Sequence, residues 1–416
     1  MSWFKGVQCI RCKSPLGTNP YYLGCPQCES EGVNCNYTTT YDLSNASLPQ
    51  ADPEAGIWSY RPFYPVDDDT PKISLHEGNT PLIHLESLGE QLGLNMLYVK
   101  DESRNPTCSF KDRLCSVALT KAVQDNAPGV VISSTGNHGA SAAAYAAKAG
   151  KPCIIFTIPQ VPDTMKTLMQ VYGAAVVVVP TFMDRWKLQR VCVQELGWMP
   201  IGGFISPPIG SNCYAIDGYK SMAFEVYRQL KNTVPDVVIF PTAYSDGQYG
   251  FYKGMRDLQE LKLITRLPKM VAAEVFGSME QTLASHADRP VAVNTSWSVS
   301  FSTASSLCSW QGLESVVSTS GYARCSTDAE TVKMQSLLAR TEGLYAENAS
   351  ATALVVAGKL AAEGKIGPDD KVVAILTSTG LKDPATTQRN MPSVPHIDPN
   401  MNELRRALDN SYGIKL

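Results

Sequence analysis

From about residue 97 onward, short runs that are apolar at nearly every position alternate with stretches of helical spacing. The runs are Leu97-Tyr98-Val99-Lys100, Val130-Val131-Ile132, Cys153-Ile154-Ile155-Phe156, Ala175 to Val179, Val237-Val238-Ile239-Phe240, Val271-Ala272-Ala273 and Val372-Val373-Ala374-Ile375-Leu376. Continuous apolar character, rather than strict alternation, predicts strands buried on both faces. Helices are predicted over Lys111 to about Gln124, Gly139 to Lys148, Met165 to Val171, Tyr219 to Leu230 and Ser350 to Leu360. Strands separated by helices imply parallel crossovers and an open α/β sheet, whose ligands bind beyond the carboxyl ends of the strands. The strand-to-helix turns are therefore the places where chemistry is expected. Residues 37–70 carry Asp67-Asp68-Asp69 and Pro49, Pro53, Pro62 and Pro65, which predicts an extended wrap rather than regular structure. No internal repeat or low-complexity tract interrupts the pattern.

Composition narrows the class. The 416 residues are 44% hydrophobic, enough to bury the cores of two or three folding units. Lys plus Arg number 36 and Asp plus Glu 39, a net charge of -3 with no long block of one sign, so no nucleic-acid or anionic-membrane partner is expected. No apolar run approaches the ~20 residues of a membrane-spanning helix, and Met1-Ser2-Trp3-Phe4-Lys5 does not open a secretory signal. A soluble, cytoplasmic chain is the expectation.

Five of the 12 cysteines precede residue 36. Cys9 and Cys12 form one knuckle, Cys25 and Cys28 a second, and this spacing can bring four thiolates onto one tetrahedral zinc ion. Disulfides are the alternative, but they would need an oxidising compartment that nothing else supports. A four-sulfur site would be closed and structural. Cys35 falls outside the spacing and is read as packing. Cys108, Cys115, Cys153, Cys192, Cys213, Cys308 and Cys325 have no ligand spacing and are read as small buried hydrophobes.

Three turns carry candidate chemistry. In Asn105-Pro106-Thr107-Cys108-Ser109-Phe110-Lys111-Asp112-Arg113 a lysine stands where a helix begins, beside N–H groups that disfavour added positive charge and lower its pKa. Lys111 is then either a Schiff-base nucleophile or an ordinary solvated lysine. In Ser133-Ser134-Thr135-Gly136-Asn137-His138-Gly139, small hydroxyl residues and glycines ahead of a helix can cradle a carboxylate or phosphate; equally, Ser134 or Thr135 can simply cap the helix. His138 is either an acid–base group or a surface imidazole. In Leu376-Thr377-Ser378-Thr379-Gly380, Thr377 projects a hydroxyl from a strand end, or merely leaves the strand.

Together with Gly78-Asn79-Thr80-Pro81-Leu82, Lys100-Asp101-Glu102, Glu342-Gly343-Leu344-Tyr345 and Gly380-Leu381-Lys382-Asp383-Pro384, these motifs resemble, in order, those of the threonine-synthase-like family of pyridoxal-phosphate-dependent fold type II enzymes, over about residues 72–385. The resemblance implies a two-domain α/β fold of the tryptophan synthase β type behind an N-terminal zinc-ribbon extension. It places that extension at residues 1–50, the large cofactor-binding domain at 51–94 and 216–416, and a small mobile domain at 95–215. Homodimers are common in this fold. Lys111 would hold pyridoxal phosphate covalently and then serve as base for the α-proton. Ser134, Thr135, Gly136, Asn137 and His138 would bind the α-carboxylate of a small amino-acid substrate. Asn137 would also approach the cofactor ring, and Thr377 would face the ring nitrogen.

Departures from the family limit how far function carries over. The glycine- and asparagine-rich loop that cradles the cofactor phosphate reads Pro241-Thr242-Ala243-Tyr244-Ser245-Asp246-Gly247-Gln248 here. Backbone N–H groups from Ala243, Tyr244, Ser245, Asp246 and Gly247, with the Ser245 hydroxyl, are expected to hold the phosphate, provided the Asp246 carboxylate is turned away or paired. His138-Gly139 replaces the Thr-Ser that helps hold a substrate phosphate, and Ala215 replaces a family arginine, unless Arg113, Lys166 or Lys220 supplies the charge. The resulting expectation is a lyase that removes an α-proton and eliminates or replaces a β or γ substituent. True threonine synthase, a serine or threonine dehydratase, and a non-catalytic cofactor or amino-acid sensor are the alternatives.

Overall fold

The computed structural model describes residues 2–416. It resolves into two compact units, the first ending at Lys382 and the second spanning Asp383–Leu416. The first unit holds a six-stranded sheet in the order Tyr322–Cys325, Lys269–Glu274, Val237–Pro241, Val372–Leu376, Leu97–Asp101, Leu82–His84. All neighbours pair in parallel except the edge strand Leu82–His84, which is antiparallel. Val237–Pro241 and Val372–Leu376 are buried at every residue. Their alternate side chains feed two cores. Val238, Phe240, Val373 and Ile375 pack with helices Lys111–Gln124, Lys220–Gln229 and Asp246–Glu260, whereas Val237, Ile239, Val372 and Ala374 pack with Asp328–Glu342 and Asn348–Ala362. This is why those runs lack alternation.

A four-stranded parallel sheet, in the order Ala175–Val178, Cys153–Thr157, Val130–Ser133, Met199–Pro200, is the second layer of the unit. Ala175–Val178 corrects one expectation. It lies at the sheet edge with Val177 and Val178 40% and 48% exposed, so its apolar composition does not reflect burial on both faces. The 37–70 segment also departs from the expected wrap: Tyr37–Tyr41 pairs antiparallel with Phe4–Cys9, and Gly56–Phe63 forms 3-10 turns. The partner strand lies some thirty residues away, so no local pattern announces the pairing.

A buried ionic cluster fixes the start of helix Lys111–Gln124. Arg113 donates to Glu102 at 2.7 and 2.8 Å and to Glu225 at 2.6 and 2.8 Å, and Lys100 Nζ donates to Glu225 at 2.6 Å. The second unit contains helices Pro384–Gln388 and Met401–Tyr412; Asn400 caps the latter by accepting from Glu403 N–H at 3.0 Å. No helix among the described residues is long and apolar enough to cross a membrane.

Candidate active site

The carboxyl ends of Val130–Ser133, Val237–Pro241 and Val372–Leu376 open onto one cavity of about 200 Å³. Its lining includes Lys111, Ser134, Thr135, Gly136, Asn137 and His138, then Ala243, Tyr244, Ser245, Asp246 and Gly247, and Thr377. Residues from four separate turns therefore share one space.

The turn before Lys111 is laid across the exit of a central strand. Phe110 N–H donates to the Thr377 carbonyl at 3.0 Å, and Ser109 bridges Ser378. Lys111 then opens the helix, with Nζ 4.6 Å from the centre of the Phe110 ring and 5.9 Å from that of Tyr219. Among the described residues Nζ has no hydrogen-bond partner. Burial lowers its pKa, opposed by the attraction of Asp246. The direction is the one the helix start predicts, but burial is the main cause. Cys108, read as buried, is instead exposed, at φ +56° in this turn.

In the second turn Ser134 does cap the helix Asn137–Lys148: its Oγ accepts from Gly136 and Gly139 N–H at 3.2 and 2.9 Å. The first-turn N–H groups of Asn137 and His138 have no partner within the helix and remain available to an anion. Asn137 is held rigidly, donating to Glu347 at 2.7 Å and accepting from Lys382 at 2.7 Å and Ser378 at 3.2 Å. The buried Nε2 of His138 has no partner, and burial, then the nearby Lys111, pushes its pKa well below the usual value. His138 is thus a neutral imidazole. Thr377 Oγ1 lies 2.8 Å from Ser350 Oγ.

The loop after Val237–Pro241 resolves the expected difficulty at Asp246. Its carboxylate accepts from Ser211 N–H at 2.9 Å, Ser211 Oγ at 2.6 Å and Gln311 Nε2 at 2.6 Å, so its charge is satisfied. Ser245 adopts a left-handed φ of +58° at the start of helix Asp246–Glu260, and its buried Oγ has no partner. A Cβ on Gly247 would come 2.5 Å from the Phe110 ring, so only glycine lets this loop approach the Lys111 turn. An unpartnered buried hydroxyl beside the first-turn N–H groups of a helix fits a phosphate. A lysine amine in the same space fits its aldehyde. The residues present therefore suit pyridoxal phosphate.

The substitute cations considered from sequence are committed elsewhere. Arg113 serves Glu102 and Glu225, Lys220 pairs with Asp257 at 2.9 Å, and Lys166 pairs with Asp163 at 2.8 Å. Ala215 is buried and does not line the cavity. Besides Lys111, the cation that does line it is Arg185, which sequence reasoning missed. Outside the cavity, the sulfurs of Cys9, Cys12, Cys25 and Cys28 lie within 4.8 Å of one another, with Cys9–Cys28 and Cys12–Cys25 both at 3.6 Å. Zinc–sulfur bonds of about 2.3 Å put tetrahedral ligands about 3.8 Å apart, so this cluster can hold zinc.

The fold and the lysine-bearing cavity define a cofactor-dependent α/β enzyme, and the family comparison agrees. The family described as "Pyridoxal-phosphate dependent enzyme" matches residues 73–378, and the chain belongs to it. Threonine synthase of Methanocaldococcus jannaschii is 34% identical over 362 residues, covering 85% of this chain and 87% of that protein. Threonine synthase of Methanosarcina acetivorans is 30% identical over 413 residues, covering 97% and 98%. Among solved structures, maize serine racemase aligns with a TM-score of 0.63 at 21% identity, covering 75% of this chain and 91% of that one. A fungal L-serine ammonia-lyase from Rhizomucor miehei aligns at 0.62 and 19%, covering 74% and 96%. At these identities the two structures speak to the fold alone.

Proposed function

We propose that this protein is a pyridoxal-phosphate-dependent lyase of threonine-synthase type, acting on a small amino acid by removing the α-proton and then eliminating or replacing a β or γ substituent. The observation that carries this reading is the unpartnered Lys111 amine, lowered in pKa, in one cavity with the open N–H groups of Asn137 and His138 and the Ser245 loop.

When bound, pyridoxal phosphate supplies an electron sink for negative charge at the substrate α-carbon. The chain supplies the rest. Lys111 would hold the cofactor through Nζ and, once released, would take the α-proton; its lowered pKa keeps more of the amine neutral and able to do both. N–H groups from Ala243 to Gly247 and the Ser245 hydroxyl hold the phosphate. Asn137 and His138 N–H groups would hold the α-carboxylate, and the bonds of Asn137 to Glu347 and Lys382 fix its amide in the cavity lining. Thr377, its Oγ1 held 2.8 Å from Ser350 Oγ, would offer the cofactor a neutral hydroxyl rather than a carboxylate, which suits expulsion of a leaving group. Movement of the small domain, residues 95–215, over the site would exclude water.

Relatives named threonine synthase support the threonine-synthase-type reading. The first test is spectroscopic. Purified protein should absorb at roughly 410 to 430 nm, lose the band on borohydride treatment and lack it in Lys111→Ala. An unchanged band in that variant would overturn the assignment.

A further inference from the structure

Arg185 lies in the first turn of helix Phe182–Leu196, is only 2% exposed and lines the Lys111 cavity. A guanidinium removed from water normally has a carboxylate partner, because an unpaired buried charge is costly. While the buried Lys382 donates to the Asn137 amide oxygen at 2.7 Å, Arg113, Lys100 and Lys220 obey this rule: Arg113 has Glu102 and Glu225, Lys100 has Glu225, and Lys220 has Asp257. Arg185 does not. Its contacts are a long bond from Nε to the Phe182 carbonyl at 3.4 Å and stacking over the Phe182 ring at 4.0 Å. Neither terminal nitrogen donates to an acceptor among the described residues. Burial lowers its pKa to about 10, which leaves it charged at neutral pH.

The cavity offers no protein anion to neutralise it. Asp246 is the carboxylate in the lining, and its oxygens are occupied by Ser211 and Gln311. The α-carboxylate and the cofactor phosphate already have their own donors in the reading above. A paired-donor cation is left over, and its planar fork matches phosphate, sulfonate or carboxylate. We propose that Arg185 is a specificity-determining residue that selects amino acids carrying a second negative group on the side chain. The proposal rests on the cofactor-site reading above and deepens it. It also replaces the expectation that loss of the family arginine at Ala215 removes recognition of a second anion: the guanidinium comes instead from a helix beside the smaller sheet.

The test is spectral titration of the holoenzyme, in wild type, Arg185→Gln and Arg185→Lys. Probes are O-phospho-L-serine, O-phospho-L-homoserine, L-cysteate and L-aspartate, set against L-serine, L-homoserine and L-alanine. Wild type should bind its best anionic probe about 100-fold more tightly than the neutral counterpart, and R185Q should lose about 30- to 1000-fold in that ratio, with partial recovery in R185K. Which anionic probe gives the largest ratio identifies the group. A wild type with no preference for any anionic probe overturns the proposal, as does R185Q that keeps the preference. If R185Q weakens pyridoxal phosphate itself by a similar factor, the arginine serves the cofactor and the proposal also falls. Absence of the cofactor band in wild type would instead sink the functional reading, so the two failures are distinct.

Discussion

Lys111 and Arg185 are two cations in one cavity, and the burial of each costs the apoprotein stability. Burial lowers the Lys111 pKa, so the folded state binds its proton less readily than the unfolded chain. Its cost to stability is therefore full below its lowered value and shrinks as pH rises toward the ordinary lysine range. The same shift governs cofactor capture. The rate at which apoprotein takes up pyridoxal phosphate should rise with pH and level off below the pH at which an exposed lysine amine would; stopped-flow absorbance across a pH series measures this, and a plateau at the ordinary lysine value would refute it. Arg185 is unpaired, so truncating it removes a burial penalty without breaking an ion pair. Apoprotein carrying Arg185→Leu should melt at the same temperature as wild type or higher, by up to about 1 kcal/mol in calorimetry. A clear drop would mark the residue as structural. Lys111 and Thr377 were legible in the sequence because each lies in a turn directly beside an apolar run or at a helix start. Arg185 was not, because Asp184-Arg185-Trp186-Lys187 reads as an ordinary helix surface and nothing local says which member faces a cavity.

At the level of elements, the N-terminal ribbon braces the loop proposed to hold the cofactor phosphate. Asn36, next to Cys35, donates to the Ser211 carbonyl at 2.9 Å and to Gln311 Oε1 at 3.4 Å. Ser211 and Gln311 in turn hold Asp246, and Gln311 also donates to the Tyr244 carbonyl at 2.7 Å. The packing tolerates nothing larger than glycine at position 210, where φ is +111° and a Cβ would come 2.3 Å from Gln311 Nε2 and 2.6 Å from Asp246 Oδ1. Asp246 looked out of place in sequence because its partners lie 35 and 65 residues away. In the fold it anchors the loop through Ser211 and Gln311. Loss of zinc, by chelation or in Cys25→Ser, should then weaken pyridoxal phosphate binding by about tenfold, the equivalent of one or two hydrogen bonds. Asn36→Ala should do the same while retaining metal. Elemental analysis alongside a cofactor titration separates the cases, and zinc-free protein with unaltered cofactor affinity would show that the brace does not reach the loop.

Across the first compact unit, the cluster of Arg113, Glu102, Glu225 and Lys100 joins three elements whose relative placement sets the cavity. Arg113 lies two residues beyond Lys111, Lys100 and Glu102 lie at the end of the strand Leu97–Asp101, and Glu225 lies on helix Lys220–Gln229. Glu102 also accepts from Thr80, and Gly78 N–H donates to Asn105 at 2.9 Å, so the Gly78–Thr80 motif is tied into the same cluster. These residues were legible as family signatures, yet the sequence read Arg113 as a possible substrate ligand; only the fold shows that its donors are consumed internally. Burial alone would raise the Glu225 carboxyl pKa, but Arg113 and Lys100 overcome it and hold it below the ordinary carboxylate range. A depressed carboxyl contributes stability above its unfolded pKa and loses it as pH falls through the folded value. Glu225→Gln leaves Lys100 without its ionic partner and Arg113 with one of two, so it should cost about 3 to 5 kcal/mol at neutral pH in urea unfolding. The gap from wild type should narrow in acid, where wild type loses the same charge. An equal gap at neutral and acidic pH would mean that Glu225 acts through shape, and the positioning of Lys111 would then have to rest on the Phe110–Thr377 bond and the Ser109–Ser378 bridge.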